Sequence, residues 1–373
     1  MYHTRPQDPR ACLINKGISS MVHWHEVVTS TNEVALEHGQ YGAWHAAFAQ
    51  SKGQGRRDHS WVSVPGGLYL SGLMDLQSAP HPLLGLMVAA AVRDVLQAKT
   101  RRLLKIKWPN DLVIVDEAQD AAPGAGADPR APEAPYVRKL GGILLKSSAL
   151  APVISPSVAP AHTASAGGNH ASVLIGIGIN VWPNIIADMP QSFKASAHTI
   201  EPGFLLTDKS SGEVRDIQDT QGAHGSSSAH DTPSALSDIK RAFIMSLGDQ
   251  VAQAVTQLCE DYRAAQASQI SEATFVLRQH AVFTQHHLLW INEPVRALAD
   301  HVFCESHRAL NKNRDLSWYA KQPLDRVYEY LAQHGAIDGL FVGVDLDGRA
   351  RLDTELFGEV ILDSSVVSLR RLV

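Results

Sequence analysis

Short blocks of alternating apolar and polar residues recur along this chain, separated by stretches whose apolar residues repeat at helical spacing. Residues 21–32, "MVHWHEVVTSTN", read as a strand entering a Ser/Thr/Asn turn, with Thr31 or Asn32 capping a short helix through Glu37. A strand "AWHAAFAQ", a glycine- and arginine-rich loop and a second strand "GGLYLSGLM" follow. Pro82 stands near the start of a helix to about Lys99, in which Leu83, Leu86, Val88, Val92, Val95 and Leu96 make a broad apolar face. The stretch "LKIKWPNDLVI" (104–114) is strand-like at both ends and broken in its middle. Pro109 lacks an N–H and holds Trp108 extended, while Asn110 and Asp111 favour turns, so a hairpin-like corner is expected there. "KLGGILLKSS" from Lys139 and "ASVLIGIGINV" from Ala171 are further apolar runs of strand length.

From Pro233 or Ser234, residues Leu236, Ile239, Phe243, Leu247, Val251, Val255, Leu258 and Tyr262 predict one long helix with a core-facing stripe. Beyond Leu288 the alternation returns in "LLWINEPVRAL", "GLFVGVDLDGRARLD" and "FGEVILDSSVVSLRRL", with "DLDG" (345–348) as a hairpin turn. This pattern predicts a small antiparallel barrel, interrupted by a helix near "PLDRVYEYLAQHG". Three segments, 116–135, 151–172 and 207–231, are rich in Ala, Gly, Pro or Ser and read as insertions between strands.

Composition narrows the class. At 373 residues and 45% hydrophobic content the chain can bury the cores of two or three domains. A net charge of −5 argues against a dedicated nucleic-acid binder. Three well-separated cysteines, Cys12, Cys259 and Cys304, suggest neither a disulfide framework nor a CxxC site, and fit a reducing compartment. The first 20 residues lack an apolar h-region, and the run "LLGLMVAAAV" ends after ten residues at Arg93, so neither a signal peptide nor a spanning helix is expected.

Three loops carry candidate chemistry. In "AQSKGQGRRDHSWVS", Gly53 and Gly55 permit close backbone approach, Lys52, Arg56 and Arg57 supply cations, and Trp61 a flat wall. That suits an anionic ligand, and equally a solvated surface loop; neither a complete dinucleotide fingerprint nor a P-loop is present. "KWPNDL" could present Lys107, Asn110 and Asp111 to a ligand or be an ordinary turn with solvated charges. The glycines of "IGIGIN" could thin a crowded sheet or clear room for a ligand read by Asn180. None of the 18 histidines falls in a recognised metal motif; His23 and His25 share one strand face, with no third ligand to name. No G-x-S-x-G elbow occurs.

The order of these motifs, "STN", "KGQGRRDHSW", "KWPNDL", "KLGGIL" and "GIGIN", then a long helix and a small β-unit, resembles biotin–protein ligase (biotin–acetyl-CoA-carboxylase ligase) over about residues 21–373 apart from the insertions. The resemblance implies an α+β fold: a class II synthetase-like catalytic domain (21–282), after an N-terminal extension (1–20), and an SH3-like C-terminal β-barrel (288–373) with a helical insertion near 305–335. It also implies two steps, formation of biotinyl-5′-AMP from biotin and ATP with Mg²⁺, and transfer of biotin to one lysine of a biotin carboxyl carrier domain of acetyl-CoA carboxylase or a related enzyme.

Residue by residue, Ser30, Thr31 and Gln50 resemble the groups that read biotin's ureido ring, with Gly53 and Gly142 admitting the ligand and Trp61 packing against it. Lys139 and Arg56 resemble the catalytic cations. Arg56, Arg57, Lys107, Asn110 and Asn180 are expected at ATP or the adenylate, and Asp111 is a candidate for holding Mg²⁺ directly or through an intervening group. Two departures from the family's G-R-G-R-R-G stand out, Gln54 for an arginine and Asp58 for a glycine. Some relatives carry an N-terminal helix-turn-helix; about 20 residues precede the first core strand here, too few for one, so no DNA partner is expected. A cytoplasmic location and no membrane partner are expected, and pairing of two subunits through a sheet edge is left open. A non-catalytic sensor of biotin or its adenylate and a lipoate–protein ligase are the alternative readings.

Overall fold

The structure is a computed structural model, and it describes residues 22–116, 136–148, 171–183, 200–206, 238–300, 304–305 and 323–372. Two sheets organise it. The larger has eight strands: β1 (Val22–Val28), β2 (Trp44–Gln54), β3 (Ser60–Ser63), β4 (Gly67–Leu76), β5 (Leu103–Lys107), β6 (Asp111–Asp116), β7 (Tyr136–Ser148) and β8 (Ala171–Asn180). Its order is β1-β2-β4-β8-β7-β6-β5, with β3 paired to β2. Only β1 and β2 run parallel; the other pairs are antiparallel. The mixed sheet flanked by helices is the α+β class that the resemblance implies.

Alternation along β4 decides which face does what. Leu68 and Leu70 point to a layer of three helices, α2 (Leu84–Gln97), α3 (Asp238–Ala265) and α4 (Gln269–His286), where most of the core lies. Trp44 is fully buried there and donates its indole N–H to Thr256 on α3 at 2.9 Å. Ser71, one residue out of phase, faces α1 (Thr31–His38) on the other side of the sheet, over a small core of Ala35, Leu73 and Leu174.

The C-terminal sheet contains β9 (Pro294–Ala299), β10 (Ala336–Val344), β11 (Ala350–Thr354), β12 (Gly358–Leu362) and β13 (Val367–Arg371), in the order β12-β11-β10-β9-β13. It is wholly antiparallel, as expected of a small C-terminal β-unit, and α5 (Pro323–His334) packs on it. The two sheets are joined at the KWPNDL corner. Ile106 accepts from Leu289 and donates to the His287 carbonyl, and the Trp108 indole donates to the Gly348 carbonyl at 2.9 Å.

Four details differ from the pattern reading. Ser30, not Thr31 or Asn32, occupies the cap position of α1 and makes no side-chain cap bond, because the Thr31 and Asn32 side chains are engaged across the sheet. Strand β2 continues through "SKGQ", so Gly53 lies on a strand rather than in a loop. Ile239 is 66% exposed, because the sheet meets α3 only from about Ile244 onward. Helix α4 was not anticipated: only Val276 and Phe283 bury a face, while Ile270, Leu277 and Val282 are exposed and blur its periodicity. The three low-complexity segments, Leu236 and the start of the long helix fall outside the described residues, except for Asp116, Ala171 and Ser172, which belong to strands.

Candidate active site

A cavity of about 300 Å³ opens on the α1 side of the large sheet, where the ends of β2, β3, β5, β6, β7 and β8 meet β13. One end is a chain of uncharged polar groups. Gln50 accepts from the Thr31 amide at 2.7 Å and hydroxyl at 3.1 Å, and donates to Ser63 at 2.8 Å. The Thr31 hydroxyl meets Ser71 at 2.7 Å, and Ser71 donates to Asn32 at 2.8 Å. Ser30, also expected at this end, does not line the cavity; it is fully buried, and its hydroxyl has no hydrogen-bond partner. A buried hydroxyl left unpaired is a costly arrangement.

The glycines of β8 build the wall. A Cβ on Gly176 would stand 2.5 Å from Asn32 Oδ1, and one on Gly178 would stand 2.8 Å from the Trp61 ring. These residues therefore make room for cavity-lining side chains. Trp61 lies across the sheet with its buried indole N–H unpartnered, and Lys139 Nζ sits 5.2 Å from the ring centroid.

The other end is cationic. Lys139 Nζ is 2.7 Å from Asp111 Oδ1, and Lys107 Nζ is 4.0 Å from Asp111 Oδ2. Arg56 donates to Asn110 Oδ1 at 3.2 Å and to the Ser364 hydroxyl at 3.0 Å, and Arg370 enters from β13. Burial works to raise the Asp111 carboxyl, but Lys139, Lys107 and Arg56 outweigh it and hold the group below the ordinary carboxylate value. Burial pushes the Lys107 ammonium down to about 8, against Asp111 and with help from Arg370, Lys139 and Arg56. Burial, with Arg57 adding to it, also lowers Arg56; Arg370 is lowered by burial, with Asp111 opposing. Several cations around one carboxylate leave an excess of positive charge in a chain whose net charge is −5. The arrangement can hold a polyanion.

Of the residues expected at the site, Thr31, Gln50, Arg56, Arg57, Trp61, Lys107, Asn110, Asp111, Lys139 and Gly142 all line this cavity. Others stand elsewhere. Gly53 does not line it; a Cβ there would lie 2.3 Å from the Trp61 carbonyl, so its glycine serves the β2–β3 pairing. Lys52, expected to carry anion-binding charge, is exposed and outside the lining. Asn180 is likewise outside and donates to the Lys139 carbonyl at 3.3 Å. Both ends of the Asn110 amide are engaged, by Arg56 and by the Ile143 carbonyl at 2.9 Å. The guanidinium of Arg57 is held by Asp300 and Ser364.

Sequence reasoning missed Asn32, Ser71 and Arg370. Ser71 had a signal, as a polar residue in the apolar run "GLYLSGLM"; Arg370 had none, because Asp111, the carboxylate it acts on, is more than 200 positions away.

Residues 24–153 match the Biotin/lipoate A/B protein ligase family. The bifunctional ligase/repressor BirA of Salmonella typhimurium and that of Escherichia coli are each 29% identical to this chain over 161 residues, 42% of its length and 39% of theirs. The aligned region thus spans about two-fifths of the length of these curated relatives. In fold, the chain is similar to a biotin protein ligase from Aquifex aeolicus in complex with biotin and ATP: TM-score 0.53, 20% identity, 94% of this chain and 99% of that one. Among the described residues no helix is long and apolar enough to cross a membrane, and no group of three or more His, Cys, Asp or Glu residues is arranged to hold a metal ion.

Proposed function

We propose that the chain is an ATP-dependent biotin–protein ligase. The observation that carries the proposal is one cavity with an uncharged hydrogen-bonding end, at Thr31, Asn32, Gln50 and Ser71, and a cationic end, at Lys139, Lys107, Arg56 and Arg370. Biotin has a neutral ureido ring at one end and a carboxylate at the other, which is the polarity the cavity offers. In the first step a carboxylate oxygen attacks the α-phosphorus of ATP, the bond to the β-phosphate oxygen breaks, and pyrophosphate leaves. In the second, the ε-amine of a lysine on a biotin carboxyl carrier domain attacks the acyl carbon; the bond to the AMP oxygen breaks, and the amine's proton passes to solvent. No enzyme nucleophile is required. The residues act by holding two anions in line and by stabilising charge on the phosphate.

Lys139 is assigned to the biotin carboxylate and α-phosphate, and Arg56, Lys107 and Arg370 to the remaining phosphate charge. Asp111 is the carboxylate that orients both lysines, and Asn110 holds Arg56. Among the described residues Asp111 is also the sole carboxylate lining the cavity, and Lys139 already neutralises it, so a resident metal ion does not fit this donor set. Mg²⁺ enters the proposal as part of the substrate MgATP. The acceptor is proposed to be the carrier domain of acetyl-CoA carboxylase or a related enzyme.

The test is pyrophosphate release and the mass of a purified carrier domain, with biotin and MgATP, beside a Lys139→Ala variant. One added biotin on the carrier is expected, slowed about 10²- to 10³-fold in the variant, as for the loss of a group that stabilises transition-state charge. Biotin binding with neither pyrophosphate release nor carrier modification would sink the proposal.

A further inference from the structure

The short 3-10 turn Arg56–Asp58 joins β2 to β3, and its two arginines diverge. Arg56 reaches inward to Asn110 and also to the carbonyl and hydroxyl of Ser364, at 3.2 and 3.0 Å. Arg57 also borders the cavity, but its guanidinium is engaged toward the C-terminal sheet, with Nη1 2.8 Å from Asp300 Oδ2 and Nη2 2.5 Å from the Ser364 carbonyl. Arg57 also has φ 51° and ψ 43°, a left-handed conformation that a residue with a Cβ adopts when its surroundings hold it there. The groups that hold it come from 243 and 307 positions further along the chain. Asp300 follows β9 directly and donates its amide to the Val366 carbonyl, so the ion pair grips β9 and the connection into β13 together. Strand β13 carries Arg370, which lines the same cavity as Arg56.

We infer that Arg57 and Asp300 are a positioning pair that seats the arginine turn on the C-terminal sheet, so that Arg56 and Arg370 converge on one anion while Arg57 itself stays off the ligand. The inference rests on the reading of the cationic end as the nucleotide's place. Its consequence is selective. Loosening the pair separates the cations and weakens the polyanion end, and leaves the Thr31–Gln50 end undisturbed.

Asp300→Ala, Arg57→Gly and the exchanged pair Arg57→Asp with Asp300→Arg test it. Glycine keeps the left-handed backbone available, so Arg57→Gly removes the guanidinium without adding strain. Amide hydrogen exchange over residues 52–62 reads the pair with no ligand present; the Gly55 and His59 amides, bonded within the turn, are expected to exchange faster in both single variants and to recover in the exchanged pair. By calorimetry, ATP affinity is expected to fall about tenfold in the single variants, with biotin affinity within about twofold, and to return in the exchanged pair. Unchanged exchange in the single variants would overturn the inference. So would an exchanged pair as weak for ATP as Arg57→Gly beside an unaffected Asp300→Ala, because the Arg57 charge would then meet the ligand itself. If the unaltered protein binds neither biotin nor ATP, the ligase reading fails, and the exchange data still decide whether the pair seats the turn.

Discussion

Lys107 is buried to 3% exposure beside Asp111, and its ammonium titrates near 8 because burial disfavours the charged form more than Asp111 supports it. It is a cation at pH 7 and neutral at pH 9, so affinity for a polyanion should fall as pH rises through that window. Lys107→Met should bind ATP more weakly at pH 7 and show a flatter profile; binding titrations at pH 7 and 9 decide it, and an equally steep fall in the variant would place the titrating group elsewhere. The histidines on β1, β2 and α1 have the opposite pH range. Rings of His23, His38 and His45 lie 4.8–5.3 Å apart, and His25 meets His45 at 3.3 Å. Burial, with the charges of His38, His23 and His25, pushes His45 down to about 4, from 6.5. The unfolded chain therefore takes up the proton first as pH falls. Stability present above pH 6.5 is lost on the way down to about 4. Melting temperatures between pH 7 and 4 should drop more steeply for the unaltered chain than for His45→Gln.

Two glycines show how differently the same substitution acts on different elements. On β8, a Cβ at Gly178 would press on the Trp61 ring, so Gly178→Ala should cost about 1–3 kcal/mol in denaturant unfolding and weaken biotin binding as the ring is displaced. On α2, a Cβ at Gly85 would meet only Leu145, at 3.8 Å, and Gly85→Ala should stabilise by about 0.5–1 kcal/mol through helix propensity. Equal effects at the two sites would show that Trp61 is not packed on β8 as described. Helix α1 links the two ends of this face: its first residues make the polar end of the cavity, and its last, His38, touches His45.

At the scale of the molecule, one continuous core runs through both sheets, from Trp44 and Leu104 to Leu352 and Leu369. Trp108 is 1% exposed at the junction and bonded to Gly348. A single calorimetric transition is expected, with Trp108→Ala destabilising by about 3–5 kcal/mol. Two resolved transitions in the unaltered chain would show that the sheets fold separately.

Local chemistry made much of this protein legible without coordinates. Alternation and helical spacing need only near neighbours, so the β4 run, the α2 stripe, the broken KWPNDL corner and the C-terminal hairpins could all be read from residues a few positions apart. The ordered motifs also named Thr31, Gln50, Arg56, Lys107, Asp111 and Lys139, which the fold does bring to one cavity. What only the tertiary structure decided are contacts closed over long stretches of chain. Gly176 and Gly178 turned out to make space for Asn32 and Trp61, Arg57 to engage Asp300, and Arg370 to complete the cationic end. A glycine or an arginine carries the same local signal whether it meets solvent, ligand or a distant strand; its partner is set by how the sheets pack, and that is a property of the whole chain.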